Sequence, residues 1–324
     1  MGFRGALIPA SDPDLARLRA DIAALVGDDV AGQGYLVAVS GGPDSMALLA
    51  LAAAAFPRVE AVTFDHQLRA ESADEAAMVG DWCAQAGIVH TILRPDAPIT
   101  GNIQSAARAA RYRHLESHRA ARKLDWIVTA HHADDQAETL LMRLNRSSGV
   151  GGLAGVRARN GNILRPLLGW RREELAAIVE RLALPHVLDP SNDDARFDRV
   201  TMRQHLRDAG WIDPRALARS AQALAEAEEA LQWSVLQIAR DHVRFSADGP
   251  MLVLDRTDLP REMLRRLILH MIARIAPTAP PPRGETLDQA LVQLFMGKKA
   301  MIGDLLLKGG RSWSIWAAPP RKGV

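Results

Sequence analysis

The sequence predicts an α/β protein: a doubly wound, Rossmann-like parallel sheet followed by a smaller, mainly helical C-terminal domain. Three observations predict it. Short, mainly apolar segments at 35–38, 59–64, 88–93 and 125–130 alternate with segments long enough for helices. A Ser-Gly-Gly turn joins the first run directly to its helix. The alternation stops near Gly210-Trp211-Ile212-Asp213-Pro214, which places the domains at 1–212 and 213–324.

The elements follow in order. A lead-in helix is expected over 15–26, then strand, glycine turn and helix over 35–55. A buried strand over 59–64 ends at Asp65-His66, and a helix at 72–86 precedes a third strand at 88–93. Residues 102–122 read as a long helix with Asn102 as N-cap. A fourth strand at 125–130 leads into a helix at 133–145. A glycine-rich stretch at 147–155 precedes an extended segment at 157–168 and helices at 171–183 and 199–208. The second domain reads as helices at 216–241, 262–275 and 286–295, with a short strand at 251–254. Pro280-Pro281-Pro282 marks a stiff linker, and 300–316 a terminal hairpin around Gly309-Gly310.

Composition narrows the class. Hydrophobic residues make up 48% of the 324 and charged residues 24%, ordinary for a globular protein. The longest apolar run, 46–56, is too short to span a bilayer, so no membrane role is expected. The start of the chain lacks a signal-peptide pattern, and the single cysteine fits a reducing, cytoplasmic setting. Cys83 lies in a helical segment and reads as a small buried hydrophobe. From Arg256 onward twelve Lys/Arg face five Asp/Glu, although the whole chain is only +2. That excess suits a polyanion such as nucleic acid, or a solvated basic surface. The pattern is compatible with a monomer or a homodimer.

The phosphate chemistry sits at the first turn. Ser40-Gly41-Gly42-Pro43-Asp44-Ser45 follows a buried strand and opens a helix. Backbone amides there and the helix N-terminus form an anion cradle, and the glycines let the backbone approach a ligand. Ser40 and Ser45 add hydroxyl donors. No lysine stands where a Walker A loop has one; Asp44 is inside the loop instead, as suits magnesium held on nucleotide phosphates. The loop resembles the pyrophosphate-binding loop of ATP pyrophosphatases, which split ATP between its α- and β-phosphates.

Other clusters fall at strand ends, where open α/β sheets bind ligands. Asp65 and His66 end the second strand and either line a nucleotide site or form a loop capped by Ser72. Arg108, Arg111 and Tyr112 share a helix face; two guanidiniums there suit phosphates, or form a solvated surface. Thr129-Ala130-His131-His132-Ala133-Asp134-Asp135-Gln136-Ala137-Glu138 puts two histidines before a helix and three carboxylates in its first turns. The acids either complement the helix dipole or grip a cationic substrate beside a proton-moving histidine. The spacing matches no common zinc pattern.

The combination resembles the tRNA(Ile)-lysidine synthetase family, within the adenine nucleotide alpha hydrolase-like superfamily. The resemblance rests on the motifs above, on Leu141-Met142-Arg143-Leu144 and on Gly152-Leu153-Ala154-Gly155. It continues through Arg165-Pro166-Leu167-Leu168, Asp189-Pro190-Ser191-Asn192 and 199–203, covering about residues 35–210. It implies ATP and Mg2+ as cofactors, and as substrates L-lysine and the isoleucine tRNA with a CAU anticodon. In two steps, the C2 oxygen of the wobble cytidine attacks the α-phosphate of ATP, then the lysine amine replaces AMP.

By the same match Ser40, Gly41, Gly42, Pro43, Asp44 and Ser45 hold ATP, with Asp44 also on magnesium. Phe64, His66, Arg108 and Arg111 complete the nucleotide contacts. Asp135, Glu138 and Arg203 handle the lysine, and His131 is a general base or charge stabiliser. The basic C-terminal domain binds tRNA. The chain departs from the family at Gln67 and Ser147, usually Gly, and at Val200, usually Asn. It has one small C-terminal domain where longer members carry two.

The nearest alternative is a tRNA thiolase, which commonly needs paired cysteines that this chain lacks. A glutamine-dependent synthetase would need a catalytic-cysteine segment. A tRNA-binding relic without turnover would have no reason to keep Asp44, Asp135 and Glu138.

Overall fold

The computed structural model describes residues 8–67, 72–97, 103–187, 198–247 and 249–318. Asn102, Leu68, Arg69 and the 189–192 motif therefore lie outside the described residues. The chain divides into two compact units, 1–225 and 226–324. The division falls within one helix, Pro214–His242, rather than at the 210–214 break.

In the first unit, strands β1 (Tyr35–Ala38), β2 (Val59–Phe64), β3 (Val89–Leu93) and β4 (Trp126–Val128) pair in parallel. Two short strands, β5 (Arg159–Asn160) and β6 (Ile163–Leu164), extend the sheet to the order β3-β2-β1-β4-β6-β5. Only the β5–β6 pair is antiparallel. The segment expected to be extended over 157–168 is thus a tight hairpin followed by a 3-10 turn at Pro166–Gly169.

Connecting helices are α1 (Pro13–Val26), α2 (Pro43–Ala55), α3 (Ser72–Ala86), α4 (Ile103–Ala121) and α5 (Ala133–Leu144). The short α6 (Val150–Leu153), α7 (Arg172–Arg181) and α8 (Asp198–Asp208) follow. β1 reads Tyr-Leu-Val-Ala without alternation because both faces of a central parallel strand are buried. α2 is buried nearly all round for a related reason: Met46 through Ala53 sit in the main core. α1 buries only Leu15, Leu18 and Ile22, one stripe at helical spacing.

This order fixes the site. From β1 the chain moves to β2 and β3 on one side, then returns to place β4 on the other. β1 and β4 flank the switch point, where an open crevice forms at their carboxyl ends. The glycine turn follows β1 and His131-His132 follow β4, so topology brings together segments ninety residues apart.

The second unit contains α9 (Pro214–His242) from Glu226 onward, α10 (Arg261–Ile275) and α11 (Gly284–Phe295). It also holds an antiparallel sheet ordered β7-β8-β11-β10-β9. Its strands are β7 (Val243–Phe245), β8 (Leu252–Leu254), β9 (Lys299–Ile302), β10 (Leu305–Lys308) and β11 (Trp313–Ala317). The expected terminal hairpin is a three-stranded meander, and β7 was not anticipated. Leu264, Leu267, Ile268 and Met271 bury one α10 stripe; Leu287, Ala290, Leu291 and Leu294 bury one of α11. They cover the period-two face Leu252, Leu254, Leu305, Leu307, Trp313 and Ile315. The triple proline links two helices of one core.

Candidate active site

The phosphate loop is held by its own atoms. The Val39 amide donates to Val62 O (2.8 Å), carrying the β1 ladder to the edge of the turn. Gly41 has φ +84°, and a Cβ there would lie 3.2 Å from Val187, so the turn needs glycine. The Val187 amide also donates to Gly41 O (2.9 Å). Gly42 is the N-cap of α2, and Pro43 occupies the first turn, where a missing N–H costs nothing. The Ser45 hydroxyl donates to Gly42 O (2.9 Å) and accepts from the Ser40 amide (3.2 Å). Its proton is therefore spent inside the loop, and Ser45 shapes the cradle instead of adding the expected free donor. Amides of the first α2 turn have no acceptor within the helix and point at any bound anion.

Asp44 leaves one atom available. Its Oδ1 is buried without a hydrogen-bond partner. One carboxylate beside a phosphate cradle fits magnesium, which usually takes one or two carboxylates together with substrate phosphates. Among the described residues no group of three or more His, Cys, Asp or Glu forms a cation cage.

His132 stands between the two halves of the site. Its Nε2 is 3.4 Å from Asp44 Oδ2 and 3.6 Å from Asp135 Oδ2; its Nδ1 is 3.5 Å from Asp134 Oδ2. These distances exceed those of good hydrogen bonds, so charge holds the ring. Burial alone would keep it neutral, but Asp134, Asp44 and Asp135 outweigh burial and raise it to about 10. Asp134 is in turn held well below the usual carboxylate range: burial opposes this, and His132, the Arg172 amide and Arg171 prevail. Asp134 Oδ2 accepts from the Arg172 amide (2.9 Å) and both oxygens from Arg171 (3.3 Å), docking α7.

Asp135 has two roles at once. Its Oδ2 accepts from the His132 amide (3.1 Å), capping α5, and it also borders the cavity. The cap accords with an acid that complements the helix dipole, and the cavity lining leaves Asp135 accessible to a ligand. His131 Nδ1 lies 2.9 Å from Thr129 Oγ1, which fixes the ring. Burial, reinforced by Arg165, Arg111 and Arg108 and opposed by Asp135, holds His131 well below the usual imidazole range.

Glu138 is buried, and Arg203 from α8 donates to it through Nε (2.7 Å) and Nη2 (3.4 Å). Neither Glu138 nor Arg203 lines the cavity, but Arg203 feels the charges of Asp135 and Asp44. Burial disfavours the Arg203 charge, yet Glu138, Asp135 and Asp44 raise its pKa further.

These elements enclose a cavity of about 570 Å³. Ser40, Gly42, Asp44, Ser45, Phe64, His66, Arg111, His131 and Asp135 line it. Gly41 and Pro43 shape the loop without lining it. Arg108 is exposed, with its guanidinium 5.0 Å from the Tyr112 ring centroid. Phe64 meets the His66 ring edge-on at 4.8 Å between centroids. Asp65 borders the cavity but accepts from Ser72 Oγ (2.7 Å), the Gln67 amide (2.9 Å) and Arg94 Nε (3.3 Å), so it staples the loop after β2. Thr63, Thr129 and Glu75 also line the wall. Thr63 has no sequence signal of its own; Glu75 lies in the segment after Asp65-His66, and Thr129 and His132 lie in the 129–138 motif, which gives neither an individual role.

A sheet with its phosphate loop at the β1/β4 switch point, facing an acidic helix N-terminus, defines a nucleotide-binding ATP pyrophosphatase class. Residues 15–209 match the family model described as the PP-loop domain. The chain is 41% identical over 295 residues to a tRNA(Ile)-lysidine synthase of Zymomonas mobilis, covering 88% of this chain and 89% of that one. It is 44% identical over 309 residues to one of Novosphingobium aromaticivorans, covering 93% and 92%. The chain belongs to the tRNA(Ile)-lysidine synthase family. The fold is shared more widely: the U34-tRNA thiolase NcsA of Methanococcus maripaludis, solved with its [4Fe-4S] cluster, superposes with TM-score 0.52 at 17% identity. That likeness covers 65% of this chain and 80% of the thiolase.

Proposed function

We propose that this chain is a carbon–nitrogen ligase that uses ATP to join L-lysine to C2 of the wobble cytidine in the CAU-anticodon isoleucine tRNA. The observation that carries the reading is the convergence of phosphate loop and acidic α5 N-terminus on one cavity, in a chain of this family. In the first step the cytosine O2 bonds to the α-phosphorus of ATP, the α–β phosphoanhydride breaks, and pyrophosphate leaves. In the second the lysine ε-nitrogen bonds to C2, the C2–O bond breaks, and AMP departs with the electron pair. Activation is required because a ring carbonyl oxygen is a poor leaving group.

The loop amides and α2 N-terminus seat the phosphates, and Arg111 adds a guanidinium at the cavity wall. Asp44 would hold magnesium, which neutralises phosphate charge when bound. His132, kept cationic by three carboxylates, holds Asp44 and Asp135 at fixed separation. Asp135 lines the cavity and supports recognition of the lysine ammonium. Glu138 and Arg203 form a neutral pair beside it that can exchange partners with the zwitterionic end of lysine. His131 is a neutral imidazole with one nitrogen fixed by Thr129. This favours proton acceptance or hydrogen bonding over the alternative role of fixed cation. The basic second unit supplies phosphate contacts to tRNA.

A thiolase reading fares worse, because Cys83 is fully buried in α3 and is the chain's single cysteine. The test is incorporation of labelled lysine into purified transcripts with ATP and magnesium. Label in the CAU isoleucine tRNA and none in elongator methionine tRNA is expected. No label in either, with ATP bound, would overturn the lysidine reading.

A further inference from the structure

Several half-buried arginines among the described residues are neutralised. Arg203 pairs with Glu138, Arg266 with Glu228, Arg119 with Glu116 and Arg17 with Glu174. A row of arginines beside the cavity is different. Arg108 and Arg111 place their guanidiniums 5.0 and 5.1 Å from the Tyr112 ring centroid. Burial raises the Tyr112 phenol, yet Arg111, Arg108 and Arg165 together bring it below its usual range. Arg165 is only 5% exposed and donates through Nη1 to Arg157 O (2.6 Å). Arg157 acts electrostatically on Arg143, which donates to Gly152 O and to Gly155 O (3.1 Å). Among the described residues none of these five arginines has a carboxylate ion-pair partner. Buried nitrogens of three of them, Arg111 Nε, Arg157 Nη1 and Arg165 Nε, lack any hydrogen-bond partner.

The carbonyl contacts explain part of this: Arg143 and Arg165 brace the glycine-rich arm. They neither neutralise the charge nor use the three idle nitrogens. Arg165 is buried and Arg111, Arg143 and Arg157 are half-buried; cations placed so without a counter-ion are costly, so the row is built for an anion that arrives with the ligand. ATP accounts for little of it. Of the five, only Arg111 borders the cavity, and the row runs on from Tyr112 through β6 to the arm and the end of α5. A polymer with phosphates on both sides of an inserted nucleotide matches that layout.

We propose that Arg165, Arg157 and Arg143 form a phosphodiester track that holds the RNA backbone beside the target nucleotide. The proposal rests on the reading of an RNA substrate given above. It assigns binding to the Arg165-Pro166 turn and the 143–157 arm, separately from the ATP cradle. Guanidiniums suit this because their planar forks hydrogen-bond phosphate oxygens while staying charged.

The test uses the full chain and a transcript of the CAU isoleucine tRNA, with binding measured across salt. Arg157→Gln is expected to weaken binding about tenfold and to reduce the slope of log K against log salt by about one contact. Arg157→Lys should keep the slope, and ATP affinity should be unchanged in both. An unchanged slope in a folded Gln variant would overturn the track. So would a loss confined to ATP affinity, since the anion would then be a nucleotide phosphate. Phosphate-ethylation interference on the unaltered protein provides a measurement without any variant. Interference at the phosphates flanking the wobble nucleotide is expected, and its absence there would overturn the proposal. Lysine incorporation by the unaltered chain tests the reaction separately. Binding with the expected slope but no incorporated lysine would sink the reaction and leave the track standing.

Discussion

Arg203 on α8 donates to Glu138 on α5 at 2.7 Å, and the carboxylate side chain is only 3% exposed. One pair therefore both ties two helices together and occupies the acid expected to meet the substrate amine. Glu138→Ala would leave a half-buried guanidinium without its partner, and a loss of about 2–3 kcal/mol is expected in chemical denaturation. Glu138→Gln keeps an acceptor for Arg203. It should fold normally, raise KM for lysine and leave tRNA-dependent pyrophosphate release largely intact. Equal loss of both activities in the Gln variant would remove Glu138 from lysine handling.

His132 predicts a pH dependence of stability. Its folded pKa of about 10 lies above the ordinary imidazole value of 6.5. The folded state therefore binds the proton more tightly than the unfolded state. The resulting stabilisation is complete below about pH 6.5 and is lost as pH rises toward 10. Urea unfolding without magnesium at pH 6, 8 and 9.5 should show this decline, and His132→Gln should flatten it.

Two departures from the family coincide with backbone strain. Gln67 and Ser147 both have φ +54°, the left-handed region in which glycine is unstrained. Ser147 is exposed, so little side-chain packing is lost on substitution. Ser147→Gly is expected to stabilise by about 0.5–1 kcal/mol, read as a higher Tm. No rise, or a fall, would mean the Ser147 side chain offsets the strain.

Gly155 presents the opposite case. Its φ is +65°, and an added Cβ would lie 2.4 Å from Gln136 Oε1. Gln136 is nearly fully buried and holds the arm through the Val156 amide (2.7 Å) and carbonyl (2.9 Å). Gly155→Ala should cost about 2 kcal/mol or more. It should weaken tRNA binding more than ATP binding, since the arm carries Arg157.

Asp44→Asn tests the phosphate half of the site. The amide keeps the size of the side chain but removes its charge on magnesium. Pyrophosphate release is expected to fall by two orders of magnitude or more, about 3 kcal/mol in the barrier. A variant with near-normal release would place the cation elsewhere.

Much of this was legible in the sequence because the signals were local. The apolar run at 35–38 and the mainly apolar segment at 59–64 marked buried parallel strands, and the Ser-Gly-Gly turn marked the ligand end of the sheet. Residues predicted from motifs, such as Asp44, His131 and Asp135, meet at one cavity because the switch point is a property of strand order. What escaped depends on distant partners. Nothing near Glu138 announces Arg203, and nothing near Arg165 announces the missing carboxylate. His132 looked like the lesser of two histidines until three acids were seen around it. β7 and the meander strands are short, and their period-two pattern spans only three to five residues. The bond from the Ser45 hydroxyl to Gly42 O was not legible, because it depends on how the tight turn satisfies its own polar groups.

The central claim is that this cavity activates the nucleic-acid base first and brings in lysine second. The most direct measurement is rapid-quench release of pyrophosphate from ATP, with tRNA and lysine supplied separately. The account predicts a burst near one equivalent with the CAU isoleucine tRNA alone, and none with lysine alone. A burst with lysine alone would contradict it, because the amino acid, rather than the cytidine, would then be the group adenylated.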